Sequence, residues 1–229
     1  MSESNADSAF SRTDVTQARA VLLDQLVKHA YQWRPHDEFK LASGKTSPEY
    51  FDCKLALSQP EAMAALGPVV LALIDQSVAA IGGLTMGADP IAMSASQASA
   101  RTGHPVRWFS VRKEPKVHAQ KKLVEGDVKP GERVAIVDDV VTTAKSTLQA
   151  LAACVAEGLK VVQVIVLVDR QESNGLENLR TAAAKAAGRE VPVVSVFRRC
   201  DIVEEWRRRN PETSAETRSK SSDRVSAHD

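Results

Sequence analysis

The chain has 229 residues, 43% of them hydrophobic, with 30 basic against 29 acidic side chains. That length supports one sizeable core, and the balanced charge excludes a global field demanding nucleic acid or an anionic membrane, so any anion site is local. Cys53, Cys154 and Cys200 lie far apart with no CxxC or Cys/His ligand spacing, and no apolar run has signal-peptide or membrane-spanning length, which points to reduced thiols in a cytoplasmic protein.

Residues 1–12 are polar and read as a flexible N-terminus. From Thr13 to Trp33, Val21, Leu22, Leu26 and Ala30 recur at helical spacing and predict an amphipathic opening helix. Phe39 to Asp52 is punctuated by Gly44 and Pro48 and rich in Ser, Thr and aromatics, which suits short extended pieces. An Ala/Leu/Val-rich helix is expected from Gln59 to Ala80, then a strand from Ile81 to Met86 ending at Gly87-Ala88-Asp89-Pro90, with a helix beginning at Pro90. Val106 to Val111 reads as a strand, followed by an irregular stretch from Arg112 to Gly131. Strand Val134–Val137, helix Ser146–Glu157, strand Val161–Val168, helix Leu176–Ala187 and strand Val191–Phe197 follow, and Arg207-Arg208-Arg209 ends a solvated helix. Alternation of this kind, with nearly continuous Val/Ile/Leu strands, predicts an α/β domain whose parallel sheet is covered on both faces, with ligands bound beyond the carboxyl ends of the strands. A single domain is expected over residues 13–210, and residues 211–229 read as a disordered polar tail.

Val134-Ala-Ile-Val137 runs into Asp138 and Asp139, and Thr142, Thr143, Ser146 and Thr147 follow in a loop leading to a helix. Backbone N–H groups converging at a helix start lack intrahelical acceptors, and the macrodipole there favours an anion such as phosphate. Carboxylates beside a phosphate fit a ribose phosphate, whose hydroxyls need acceptors while its phosphate needs donors. A bare acid pair can simply end a strand, and hydroxyls can simply cap a helix; the complete series of buried strand, paired acids and hydroxyl loop points to ribose phosphate. A phospho-acceptor receiver domain also carries paired acids after a strand. It needs a further acceptor Asp two strands later and a Lys beyond, for which the chain after Asp139 has little room. Walker loops, GxGxxG and HExxH are absent.

These residues resemble the type I phosphoribosyltransferases, and among them the orotate phosphoribosyltransferases. Val137-Asp-Asp-Val-Val-Thr-Thr143 is similar to the superfamily's motif for phosphoribosyl pyrophosphate. Phe39 to Asp52 is similar to the orotate enzymes' FxLxSGxxSPxYFD region, Val111-Arg-Lys-Glu-Pro-Lys-Val-His118 to their RKExKxH loop, and Val168-Asp-Arg-Gln-Glu172 to the segment whose arginine meets the orotate carboxylate. Taken singly, Tyr50 and Phe51 would be core aromatics, Arg112 to Lys122 a solvated loop and Arg170 a surface residue; their order along the chain is what narrows the choice.

The resemblance implies a type I phosphoribosyltransferase fold with a small N-terminal hood formed largely by residues 13–58. It implies transfer of phosphoribosyl to orotate, with Mg²⁺ held mainly by substrate and water rather than by a protein cage. Tyr50, Phe51 and Arg170 would bind the base, and the amides and hydroxyls of Thr142, Thr143, Ala144, Lys145, Ser146 and Thr147 the 5′-phosphate, with Lys145 adding charge. Arg112, Lys113, Lys116 and His118 would close over the pyrophosphate, Lys116 and His118 stabilising the leaving group, while Asp138 and Asp139 orient the ribose. A homodimer sharing this loop between subunits is implied. The relatives often have glycines where this chain has Ala144 and Lys145, and alanine incurs a steric penalty wherever φ is positive. Ala119 stands where glycine commonly follows the histidine, and Ala42 replaces a lysine for which Lys40 or Lys45 would substitute. The alternatives are a phosphoribosyltransferase for another base, and a weakly active phosphoribosyl-binding regulator whose only nucleic-acid hint is Arg207–Arg209.

Overall fold

The computed structural model describes residues 10–36, 38–40, 46–115 and 122–211. Lys116, His118, Ala42, Lys45, Ala119, most of the flexible N-terminus and all but the first residue of the polar tail lie outside them.

Helix α1 (Arg12–Gln25) starts at a capping box in which Ser11 and Asp14 satisfy each other's backbone, and it buries Leu22. One π-helical turn, Leu26–Ala30, follows, and the chain then leaves the helix for strand β1 (Tyr31–Trp33). The expected helix to Trp33 is therefore three residues too long. Tyr31 pairs with Phe51 of strand β4 (Glu49–Phe51), and its ring packs 5.1 Å from Phe51 and 5.4 Å from Trp206, burial that a further helical turn would forfeit. Strands β2 (Phe39–Lys40) and β3 (Thr46–Ser47) pair with each other, in keeping with the extended pieces expected there. A short helix, α2 (Cys53–Leu57), is capped by Asp52 and was not foreseen. Helix α3 (Pro60–Leu71) stops well before Ala80, because a turn built on Asp75 intervenes: its carboxylate accepts from the Ser77 N–H, and its own N–H donates to buried Gln163.

The rest alternates as expected, apart from β7, which falls in the stretch read as irregular: β5 (Ala80–Leu84), α4 (Asp89–Ser99), β6 (Arg107–Val111), β7 (Val124–Glu125), β8 (Arg133–Val141), α5 (Lys145–Ala156), β9 (Lys160–Asp169), α6 (Gly175–Ala187), β10 (Val193–Arg198) and α7 (Arg199–Arg209). The sheet order is β10-β9-β8-β5-β6-β7, parallel except for β7 against β6. One core cluster packs Ile81, Ala135, Val137, Ile165 and Leu167 beneath α1, α3, α4 and α7, and a second packs Val134, Ile136, Val164 and Val166 beneath α5 and α6. Helix α7 is not simply solvated, since Ile202 and Val203 are buried and Trp206 meets the first cluster.

Two details of the sheet position the site. Val134 pairs with Val161 but Ala135 with Gln163, so Val162 is an extra residue bulged out of β9. Strand β8 pairs with β5 only from Val134 to Ile136, then continues beside β9 as far as Val141. The strand expected to end at Val137 thus runs through both aspartates, because β9 extends equally far and keeps supplying partners. From β5 the chain first crosses to β6 on one side and later to β8 on the other, so the crevice between β5 and β8 is the topological switch point.

Candidate active site at the carboxyl edge of the sheet

Because β8 stays extended through Asp138 and Asp139, their side chains point to opposite faces of the sheet. Asp138, 2% exposed, faces α5: its Oδ2 accepts from the Ser146 and Thr147 hydroxyls, both at 2.6 Å, and its Oδ1 from the Asp139 N–H at 3.1 Å. Burial pushes its carboxyl up to about 6 against the opposing pull of the two hydroxyls, and the Asp139 charge adds to the rise. Asp139 faces the N-terminal segment. Its Oδ1 accepts from the Val140 N–H at 2.9 Å and its Oδ2 from Lys54 Nζ at 3.1 Å. A Cβ at Gly87 would sit 2.5 Å from Asp139 Oδ1, so only glycine lets that loop approach the carboxylate this closely.

The loop from Thr142 to Ala144 turns into α5 through Ala144, which adopts φ 69°, ψ 9° and is buried. The first helical bond runs from the Leu148 N–H to the Ala144 carbonyl, so the amides of residues 145–147 precede the ladder. Beside this turn lies a cavity of about 370 Å³ lined by Thr142, Thr143, Ala144, Lys145, Ser146 and Lys113 among others. The Gln149 amide donates to the Lys113 carbonyl at 2.9 Å, fixing the strand-β6 loop against α5. Arg112 lies beside the hairpin instead, its Nε donating to the Glu114 carbonyl and its Nη1 lying 3.9 Å from Glu125. A larger cavity, about 490 Å³, opens at the amino end of the sheet near Pro68 and His104, and none of the sequence-predicted site residues lines it.

On the next strand, Arg170 follows β9 directly and its N–H donates to the Val141 carbonyl at 3.0 Å. The side chain is buried, its carbon 5.5 Å from the centre of the Phe51 ring, with Nη2 donating to Glu172 at 2.9 Å. Its Nε is buried without an acceptor, a costly state for a charged donor. Tyr50 and Phe51 alternate faces: Phe51 packs on Tyr31 and Arg170, while Tyr50 stacks on Phe39 with centroids 5.2 Å apart. The loop after Arg170 is strained, with Gln171, Ser173 and Asn174 all at positive φ.

No protein-family model matches the chain. The orotate phosphoribosyltransferase of Aquifex aeolicus is 41% identical over 166 residues, which cover 72% of this chain and 86% of that protein. The chain belongs to the orotate phosphoribosyltransferase family. A Mycobacterium tuberculosis orotate phosphoribosyltransferase solved with Fe(III) dicitrate superposes with a TM-score of 0.66 at 32% identity, over 81% of this chain and 98% of that one. The same enzyme solved with 5-phospho-α-D-ribosyl 1-diphosphate gives a TM-score of 0.62 at 26% identity, over 82% of this chain and 96% of that one.

With the orotate phosphoribosyltransferase fold as the frame, the edge of β8 and β9 brings together Asp138, Asp139, Thr142 to Thr147 and Arg170, with Phe51 above. Arg112 and Tyr50 stand apart from that group, and Lys116 and His118 fall outside the described residues. Sequence reasoning missed Lys54, Gly87 and Asp89. The last receives the hydroxyls of Thr85 at 2.6 Å and Ser110 at 2.7 Å and so joins the ends of β5 and β6. The Gly87-Ala88-Asp89-Pro90 punctuation marked this turn as a strand end, but nothing in it announced contact with Asp139.

Proposed function

We propose that this chain transfers the phosphoribosyl group of 5-phospho-α-D-ribosyl 1-diphosphate to orotate, forming orotidine 5′-phosphate and diphosphate in pyrimidine synthesis. One observation carries the reading beyond family membership: a buried guanidinium with an unspent N–H follows β9, and beside it β8 carries two carboxylates and leads into the loop that lines the cavity at the start of α5. The guanidinium suits the orotate carboxylate, the loop a 5′-phosphate, and the acids a ribose.

In the reaction the bond from the anomeric carbon to the diphosphate oxygen breaks and N1 of orotate bonds to that carbon, giving up its proton to solvent or to the departing diphosphate. The electron pair leaves with the diphosphate, so positive charge grows on the ribose and negative charge on the leaving group, and fixed charges aimed at each lower the barrier. Asp139 would accept from a ribose hydroxyl and face the growing positive charge. Asp138 acts beside it by holding Ser146 and Thr147, which shapes the phosphate cradle. Residues 142–147 hold the 5′-phosphate, with Lys145 adding charge. Arg170 would receive the orotate carboxylate through its guanidinium, which Phe51 steadies, and Tyr50 would border the base from the hood formed by residues 13–58. Lys113, on the rim of the cavity, with Arg112, Lys116 and His118, would stabilise departing diphosphate, His118 as a proton donor.

Among the described residues no three His, Cys, Asp or Glu side chains cluster as a cation cage, and Asp138 and Asp139 each spend both oxygens on protein donors. This donor set fits a Mg²⁺ that would arrive on the diphosphate and be held mainly by substrate and water. When bound, the ion would neutralise diphosphate oxygens as the leaving group departs. The protein is proposed to work in the cytoplasm as a homodimer in which the Arg112–His118 loop serves the neighbouring site. No helix among the described residues is long and apolar enough to cross a membrane.

The test is to mix purified protein, Mg²⁺, the diphosphate donor and orotate and to follow loss of orotate absorbance, with uracil and hypoxanthine as controls. Donor-dependent loss of orotate alone is expected. Turnover of either control in place of orotate reassigns the base, and donor binding with no turnover of any base identifies a regulator.

A further inference from the structure

We propose that Lys54 is the positioning residue of the ribose site, holding Asp139 in the orientation in which it meets a ribose hydroxyl; the proposal rests on the reading of the site given above. Among the described residues, Lys54 is the one cation ion-paired with either of the adjacent acids. Its ammonium lies 3.1 Å from Asp139 Oδ2 and 3.5 Å from Asp52 Oδ1, and its backbone N–H donates to the same Asp52 oxygen at 3.2 Å. Asp52 therefore holds Lys54 at both ends and aims it across the crevice from α2 to β8.

The carboxylate of Asp139 is defined from three sides. The Val140 N–H fixes Oδ1, the Gly87 backbone closes in beside it, and Lys54 fixes Oδ2. Two of these restraints come from the sheet and its switch-point loops, and the third comes from the N-terminal segment that carries Tyr50 and Phe51. Remove Lys54 and the Oδ2 end is free to turn, while among the described residues neither carboxylate keeps an ion-paired cation. An ion pair whose lysine is half exposed contributes little to folding. Its geometry is nonetheless specific, so loss of Lys54 should register in ligand binding and turnover rather than in stability.

The alternative is that Lys54 reaches the diphosphate itself, and two probes separate the roles. Ribose 5-phosphate presents the ribose hydroxyls without a diphosphate, and inorganic pyrophosphate presents the reverse. Full-length wild type, Lys54→Met, Lys54→Arg and Gly87→Ala are titrated with each in the presence of Mg²⁺, and thermal unfolding is recorded alongside. Methionine keeps the apolar stem and deletes the charge. Gly87→Ala displaces Asp139 from the other side, so it tests the same orientation should Lys54→Met fail to fold. The expected result is ribose 5-phosphate affinity weakened about tenfold or more in Lys54→Met and Gly87→Ala, recovered to within about threefold in Lys54→Arg, with pyrophosphate affinity unchanged. Turnover of orotate should fall in parallel at unchanged KM for orotate.

Loss of pyrophosphate affinity with ribose 5-phosphate binding intact would overturn the proposal in favour of direct diphosphate contact. Wild-type affinities in Lys54→Met, or loss of both probes with a large fall in melting temperature in Lys54→Met and Gly87→Ala alike, would also overturn it. Wild type that binds ribose 5-phosphate but does not consume orotate removes the base assignment and leaves the Lys54 role standing. Wild type that binds neither probe removes both.

Discussion

Arg199 grips Glu49 through two bonds of 2.6 Å, Nε to Oε2 and Nη2 to Oε1, across 150 residues of chain. The contact ties the first turn of α7 to strand β4, and Glu49 is almost fully buried. Burial, reinforced by the Glu49 charge and by the hydrogen bond between the phenol and that carboxylate, pushes the neighbouring Tyr31 phenol upward. Removing Arg199 leaves the buried Glu49 carboxylate without its bidentate cation. Arg199→Ala should therefore cost about 3 kcal/mol of unfolding free energy, read by urea denaturation, and Arg199→Lys should recover only part of it because a fork is replaced by a point charge. Unchanged stability in Arg199→Ala would show that the hood strand is held by its aromatic contacts alone.

Ala144 in the left-handed region makes a second prediction in which three terms compete. Glycine there would relieve about 1–2 kcal/mol of backbone strain, but it forfeits about 0.8 kcal/mol of methyl burial and about 0.5–1 kcal/mol in chain entropy. Ala144→Gly is expected to fall within about 1 kcal/mol of wild type and to retain activity, since those terms nearly cancel. Ala144→Val should lose at least about 2 kcal/mol, because a β-branched residue tolerates positive φ worse and the site is closed. Calorimetric unfolding of the two variants checks the ordering.

The buried carboxyl of Asp138 sets a pH dependence with a definite sign. Its folded value, about 6, stands above the ordinary 3.8. The folded state therefore binds the proton more tightly than the unfolded chain. Asp138 contributes stability that is fully present below 3.8 and lost as pH rises through about 6. Unfolding free energy should drop by a few kcal/mol between about pH 4 and 7 from this group, and the drop should be flattened in Asp138→Asn. Parallel curves for the two proteins would mean that Asp138 is ionised without cost.

Arg170 links stability and function in opposite directions. Its Nε is a buried donor with no acceptor, so Arg170→Met removes an unsatisfied group while filling similar space. The variant should be at least as stable as wild type. Its kcat/KM for orotate should fall about a hundredfold, equivalent to roughly 3 kcal/mol, mostly through KM. Orotate kinetics and melting temperature, measured on the same preparation, test both halves. A destabilised variant with normal orotate kinetics would make Arg170 a packing residue.

Much of this site could be read from the chain because its parts are local. The run Val134–Val137, the acids and the hydroxyls that follow are consecutive, and so their order along the sequence is their order in space. The faces of Asp138 and Asp139 were harder to read, since they depend on how far β9 continues to supply hydrogen bonds, which is a property of the pair of strands. Tyr31–Trp33 prolongs a helical apolar pattern and becomes a strand only because Phe51 and Trp206 wait for it. Lys54 had no local signal: a single lysine after a capping Asp acquires its meaning from Asp139, 85 positions further on. Arg170 was legible through family resemblance, and its unpaired Nε only through the structure.

The bulge at Val162 lies near the amino end of β9, yet it keeps time for the whole site. Side chains alternate along β9, so the extra residue decides which of them arrive on each face downstream, Ile165 and Leu167 under the N-terminal helices and Val164 and Val166 under α5 and α6. Delete that one beat and every later side chain exchanges faces, with Arg170 turned away from Phe51 at the end of the count. A residue with no chemistry of its own thus sets the phase in which the chemistry is presented.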